Sequence, residues 1–276
     1  MNVYLDNNAT TRVAPEVLDS MLQFFNEDYG NASSMHTFGG RMKKHIELGR
    51  EKTAALLNAD PQEIIFTSCG TESDNTAIRN ALDSAPNKRH IITTRVEHPA
   101  ILSPADYMEK KGYRITRLSV NKYGFFDLAE LEQALTDDTA IVSIMWANNE
   151  TGVVFPIEEA ARLAKSRGAI FHTDAVQAAG KIAIDMKKIP VDMLSISGHK
   201  LHAPKGIGAL YVRRGTPFVP FMLGGHQESG RRAGTENVPY IAGLGRACEL
   251  AAANMDEENT VLKELRDRLE TALLAK

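Results

Sequence analysis

The chain has 276 residues, of which 43% are hydrophobic and 24% charged, the proportions of an ordinary globular protein with enough length for one large core. Thirty-two Lys and Arg against thirty-five Asp and Glu leave a net charge of −3, which argues against nucleic acid or an anionic membrane as partner. No apolar run approaches the roughly 20 residues of a bilayer span, and the N-terminus lacks a signal peptide's basic and apolar regions. The two cysteines, Cys69 and Cys248, form neither a disulfide framework nor a metal-spaced cluster. The expectation is a reduced, metal-free, cytoplasmic protein.

In chain order, the first segment ends in a run of hydrogen-bonding side chains, 6–11, which reads as turn chemistry before it reads as a site. Pro15 then opens a helix over 15–26, with Val17, Leu18, Met21, Leu22 and Phe25 on one face. A loop at 31–34 supplies a cap for a second helix, to residue 57. From 64 onward apolar runs alternate with helical patterns: runs at 64–67, 90–94, 115–120, 140–146, 169–173, 193–196 and 208–212, and helices at 72–84, 99–111, 128–135 and 157–166. Continuous apolar strands between helices predict an α/β fold with a seven-stranded, mostly parallel sheet covered on both faces. The last two runs are joined only by 197–207, so one of them is expected to run antiparallel. A Gly- and Pro-rich loop, 215–239, precedes two helices, 238–254 and an amphipathic 257–276. The division expected is an N-terminal segment 1–14, a large domain 15–250, and a helical start, 251–276, of a small domain largely absent from the chain.

Ligands of such sheets bind beyond the carboxyl ends of the strands. After the first run come Gly70, Thr71 and Ser73 at a helix start, either an anion cup or a plain capped helix. After the second comes His98, a ring neighbour or an idle helix residue. After the fourth, Asn148 and Asn149 suit a carboxylate or ring oxygen, or form an Asx turn. After the fifth, Asp174 ends a buried strand and requires a cation, and Gln177 follows. After the sixth come Ser197, His199 and Lys200. Together these fill the posts of a pyridoxal phosphate site: Lys200 for the aldehyde as a Schiff base, the 70–73 cup with Ser197 for phosphate, Asp174 for the protonated ring nitrogen, His98 for the ring face and Gln177 for the phenolic oxygen. Lys205, in a Pro-Lys-Gly turn, is the rival lysine and is expected to be exposed.

The motifs LDNNATT, FTSCGTESDN, VEHPA, MWANNETG, FHTDAVQ, SGHKLHAPKG and GGHQESGRRAGTEN, in this order and from Val3 onward, resemble those of the cysteine desulfurases, nitrogen-fixation type, within the class V pyridoxal phosphate enzymes. Ala32 and Gly70 stand where many relatives have proline and alanine; neither change removes a functional group. The resemblance implies the fold-type-I large domain, a homodimer, and conversion of L-cysteine to L-alanine, with sulfur passed as a persulfide to an iron–sulfur scaffold protein. It implies Lys200 as the Schiff-base lysine and Gly70, Thr71, Ser197 and His199 around the phosphate. It further implies His98 on the ring, Asp174 at the ring nitrogen, Gln177 at the phenolic oxygen, and Asn149 near that oxygen and the substrate carboxylate. Thr235 is implied at the partner subunit's phosphate. The family's persulfide cysteine and its carboxylate-binding arginine lie C-terminal to all of these motifs, so the chain is read as a fragment. Cys69 is too fixed beside the cup to carry sulfur, and Cys248 is read as core. The alternatives are a selenocysteine lyase, an aminotransferase, or a cofactor-binding dimerisation module without turnover.

Overall fold

The computed structural model describes residues 3–275. Its helices are α1 (Pro15–Asn26), α2 (Thr37–Leu56), α3 (Gly70–Ser84), α4 (Pro99–Lys110), α5 (Leu128–Ala134), α6 (Ile157–Ser166), α7 (Val238–Glu257) and α8 (Lys263–Leu274). Its strands are β1 (Ile64–Thr67), β2 (His90–Thr94), β3 (Arg114–Leu118), β4 (Thr139–Ser143), β5 (Ile170–Asp174), β6 (Met193–Ser197) and β7 (Gly208–Val212), in the sheet order β1-β7-β6-β5-β4-β2-β3. The pairs β2–β3, β2–β4, β4–β5 and β5–β6 are parallel; β7 is antiparallel to both β6 and β1. Six strands therefore share one direction, as the apolar runs predict, and all six end on one rim.

Successive strand residues face opposite sides of the sheet, and each side meets its own apolar cluster. Ile64 and Phe66 pack with α1, α2 and α7, whereas Ile65 packs with Ala77, Ile78 and Ala81 of α3 and Ile101 of α4. Burial on both faces explains why these strands read as continuous apolar runs.

Three local expectations are corrected. The cap of α2 is His36, whose Nδ1 accepts from the Gly39 N–H at 3.2 Å, rather than the 31–34 loop. In α1 the buried residues are Val17, Met21 and Phe24; Leu18, Leu22 and Phe25 are about half exposed, because α7 covers only one stripe of the helix. The two C-terminal helices, expected at 238–254 and 257–276, run Val238–Glu257 and Lys263–Leu274, joined by a π-helical turn, Glu258–Leu262. Helix α8 buries none of its described residues, so its amphipathic stripe covers nothing in the described chain.

The 215–237 segment holds its irregular path through Glu228. Its carboxylate takes two hydrogen bonds from the Arg50 guanidinium, at 2.7 and 2.9 Å, and one from the Phe66 N–H at 3.0 Å. Arg50 also donates to the Ile64 carbonyl at 2.8 Å and lies 4.8 Å from the centre of the Phe66 ring. Both side chains are buried, so the ion pair is strong only while complete. Glu228 and Ser229 have φ of 48° and 58°, a left-handed kink that the pair maintains. Replacing Glu228 with alanine leaves the buried Arg50 with only the exposed Glu47 carboxylate, 3.3 Å from its Nε, as an anionic partner. The expected cost is about 3–5 kcal/mol of stability, read as a lower urea midpoint; a wild-type midpoint would show that the pair does not hold the loop.

Candidate active site

The strand rim opens on a cavity of about 540 Å³. Gly70, Thr71, His98, Asn149, Asp174, Gln177, Ser197, His199 and Lys200 all line it. Thr235 does not; it is exposed and lines a separate cavity of about 220 Å³ beside Ser68 and Arg232.

The shared rim follows from topology. Gly208 at the start of β7 lies opposite both Thr67 and Ser197, so the turns after β1 and β6 leave the sheet side by side. A side chain at Gly208 would meet the Ile196 carbonyl oxygen at 2.7 Å and the Cys69 carbonyl carbon at 2.9 Å, so only glycine admits this approach. Helix α3 starts at Gly70 with no side-chain cap. Ser73 is instead turned inward, its Oγ 2.8 Å from Thr67 Oγ1, which rules out the plain capped helix and leaves the first-turn N–H groups open to an anion. Glu72, also in that turn, is tied to Arg232 at 2.9 and 3.1 Å and accepts from the Ser68 N–H at 2.7 Å.

His98 caps α4, its Nδ1 accepting from the Ala100 N–H at 3.1 Å. That bond makes Nδ1 the acceptor and puts a neutral ring's proton on Nε2. Asn148 makes the Asx turn: its Oδ1 accepts from the Glu150 and Thr151 N–H groups at 3.0 and 2.9 Å. Asn149 is thereby the one that lines the cavity. Gln177 donates to the Asn8 carbonyl and accepts from Lys181 Nζ, both at 2.8 Å. Lys200 donates to the carbonyls of Asn8 and Ala9, the latter at 2.7 Å. Lys205 is exposed and outside the cavity, as expected.

The floor of the cavity is acidic and buried. Asp174 accepts from the Val176 N–H at 2.9 Å, and burial raises its pKa while His98 and Lys200 oppose the rise. Asp74, absent from the sequence-derived site, also lines the cavity, and its Oδ1 has no hydrogen-bond partner among the described residues. Burial and the neighbouring Asp174 charge hold its pKa well above the usual carboxylate range. Burial pushes Glu97 up to about 8 against hydrogen bonds from Met145 and Thr94. Lys200 is lowered by burial, with Asp174 and Asp6 opposing, and Lys181 is lowered to about 8 by burial and by Lys200. Crowded carboxylates without a full cationic complement suit a protonated ring nitrogen. An uncapped helix start suits a phosphate and an accessible lysine suits an aldehyde, so the donor set fits pyridoxal phosphate.

The Aminotransferase class-V family matches residues 3–276. The cysteine desulfurase of Trichormus azollae is 62% identical over 276 residues, covering 99% of this chain and 68% of its own length. Cysteine desulfurase NifS of Azotobacter vinelandii is 56% identical over 275 residues, again 99% and 68%. The solved structure of a NifS-like protein superimposes with a TM-score of 0.97 at 44% identity, over 100% of this chain and 76% of that one. The chain belongs to the cysteine desulfurases of the class-V aminotransferase family. It is a pyridoxal phosphate enzyme of the fold-type-I architecture, and its substrate is cysteine. Among the described residues no helix is long and apolar enough to cross a membrane.

Beneath Asp174, a polar ladder crosses three strands. His172 contacts Ser143 Oγ through Nδ1 and Ser195 Oγ through Nε2, each at 2.9 Å, and is fully buried. Burial lowers its pKa to about 3. The unfolded chain protonates this histidine near 6.5 and the folded chain only near 3, so His172 weakens the fold progressively as pH falls below 6.5. Replacing it with Asn should flatten the loss of stability between pH 6 and 4 by up to about 1.4 kcal/mol per pH unit. Urea midpoints at several pH values read this slope, and parallel slopes in both proteins would contradict it.

Proposed function

We propose that this cavity is where L-cysteine is desulfurated, with Lys200 as the cofactor lysine and Asp174 as the partner of the ring nitrogen. The observation that supports this most is the meeting of the lysine, the buried aspartate and the uncapped start of α3 in one cavity. When bound, pyridoxal phosphate supplies an aldehyde that links to amines and an electron-poor ring that accepts the electron pair released from a substrate bond.

The chain's own residues do the rest. Gly70, Thr71, Ser197 and His199 receive the phosphate, with the α3 dipole adding to the N–H groups. His98 covers the ring from the start of α4. Gln177 meets the phenolic oxygen, and Asn149 stands near that oxygen and the substrate carboxylate. Asp174, fixed by the Val176 N–H, holds the proton on the ring nitrogen. Lys200, its pKa lowered by burial, takes the α-proton of cysteine as a free amine. Cys248 has no part in sulfur transfer: it is buried and its thiol is pushed up to about 12. Cys69 is held in backbone at the start of α3 and is a poor carrier. The sulfur leaves as a persulfide on a cysteine thiol other than these two and passes to an iron–sulfur scaffold protein in the cytoplasm. Thr235 serves the phosphate of a partner subunit in a homodimer, a reading that its exposure outside the cavity supports. The 15–250 unit carries the cofactor, and 251–276 leads toward a small domain.

Two measurements test these roles. Protein loaded with pyridoxal phosphate should absorb visible light, and borohydride reduction with peptide mapping should find the pyridoxyl group on Lys200; a label on Lys205 would overturn the assignment. Replacing Asp174 with alanine removes a charged hydrogen bond of about 1.5–3 kcal/mol, so cofactor affinity should fall roughly 10- to 150-fold. An unchanged affinity would remove Asp174 from this role.

A further inference from the structure

The segment 8–14 follows the lysine turn residue by residue. The Asn8 carbonyl accepts from Lys200 Nζ and Gln177 Nε2, and the Ala9 carbonyl accepts from Lys200 Nζ. Thr10 Oγ1 lies 3.1 Å from His199 Nδ1. The Thr11 N–H and hydroxyl both donate to the His199 carbonyl at 2.9 Å, and the same hydroxyl oxygen accepts from the His202 N–H at 2.9 Å. His202 Nδ1 lies 2.9 Å from the Arg12 carbonyl, and the His202 carbonyl accepts from the Ala14 N–H at 3.0 Å.

Two features make Thr11 the central member. It is buried, with 6% exposure, so water does not replace a hydrogen bond lost there. Its single hydroxyl spans the lysine, gripping residue 199 on one side and residue 202 on the other. Residue 202 benefits from that grip: His202 has φ of 60°, a left-handed conformation uncommon for residues other than glycine. Without the hydrogen bond to its N–H, the turn loses a restraint on this conformation and Lys200 shifts relative to the carbonyls.

We propose that Thr11 is a positioning residue for Lys200, its hydroxyl locking the 199–202 turn so that the lysine nitrogen is held against the Asn8 and Ala9 carbonyls. The inference rests on the reading of Lys200 as the cofactor lysine. Held there, the lysine nitrogen keeps one position on the cavity wall, in reach of the aldehyde.

Thr11→Val keeps the shape and removes the hydroxyl; Thr11→Ser keeps the hydroxyl. Each variant is prepared cofactor-free and mixed with pyridoxal phosphate, and formation of the lysine linkage is followed by visible absorbance. The linkage should form about tenfold more slowly in Thr11→Val, and the pH at which its absorbance titrates should move by about half a unit or more. Thr11→Ser should stay within about threefold of wild type. Thermal midpoints of the cofactor-free forms separate positioning from bulk stability: a lowered midpoint with wild-type linkage rate and titration overturns the proposal. If Thr11→Val does not fold, amide exchange in the wild-type protein decides. The His202 and Thr11 amides should exchange slowly and together, and rapid exchange at His202 overturns the proposal. The borohydride label distinguishes the two ideas. A label on another lysine removes the Lys200 reading; a label on Lys200 with wild-type behaviour in Thr11→Val removes the positioning role alone.

Discussion

Six of the seven strands run in one direction, and the site depends on that constraint. Strand β7 alone runs back, and it starts at Gly208, between Thr67 and Ser197, on the same rim where its neighbours end. The turn after β1 and the turn after β6 are thereby adjacent although about 130 residues separate them in the chain. Parallel strands require helices on both faces, and those helices begin at the rim with unsatisfied N–H groups. Anion-binding capacity is therefore a by-product of the topology, and an uncapped α3 leaves it available.

A buried rim carries a cost. Asp174, Asp74 and Glu97 are enclosed and raised in pKa, and His172 is enclosed and lowered. Each departs from its solution behaviour because desolvation disfavours the charged form. Hydrogen bonds compensate unevenly: Glu97 is met by Met145 and Thr94 and His172 by two serines, whereas Asp74 Oδ1 has no hydrogen-bond partner among the described residues and only His172 Nε2 nearby, at 3.6 Å. That orphaned atom belongs to a residue of the cavity wall, where a cationic ligand group relieves it. The same logic governs the loop at 215–237, whose path depends on one complete buried pair, Arg50 and Glu228.

Much of this was legible in order along the chain. Strands 64–67, 90–94 and 208–212 and helices 15–26 and 157–166 have the predicted limits, since apolar content and Pro or Gly punctuation mark them locally. Residues called to the site by their place after a strand, such as Asp174 and Lys200, line the cavity for the same reason. Asp74 escaped because it sits inside a helix, one turn beyond the cup, where periodicity suggests nothing special. The DNNATT run was legible as hydrogen-bonding side chains but not as a partner of Lys200, for its contacts cross about 190 residues. Glu228 was hidden by a loop context in which a glutamate normally faces water.

The amino-acid sequence by itself determined the α/β class, the strand count, the order of the motifs and their chemical kinds, because propensity and patterning act over a few residues. Tertiary structure decided which of two asparagines faces the cavity, that Ser73 turns inward rather than capping α3, and that α8 follows α7 through a π-helical turn. It also decided that the lysine turn is fastened to the N-terminal segment by a threonine hydroxyl. The threonine contacts join residues about 190 apart in the chain, which only the packed sheet brings together, and the other three turn on local side-chain and backbone choices that patterning leaves open.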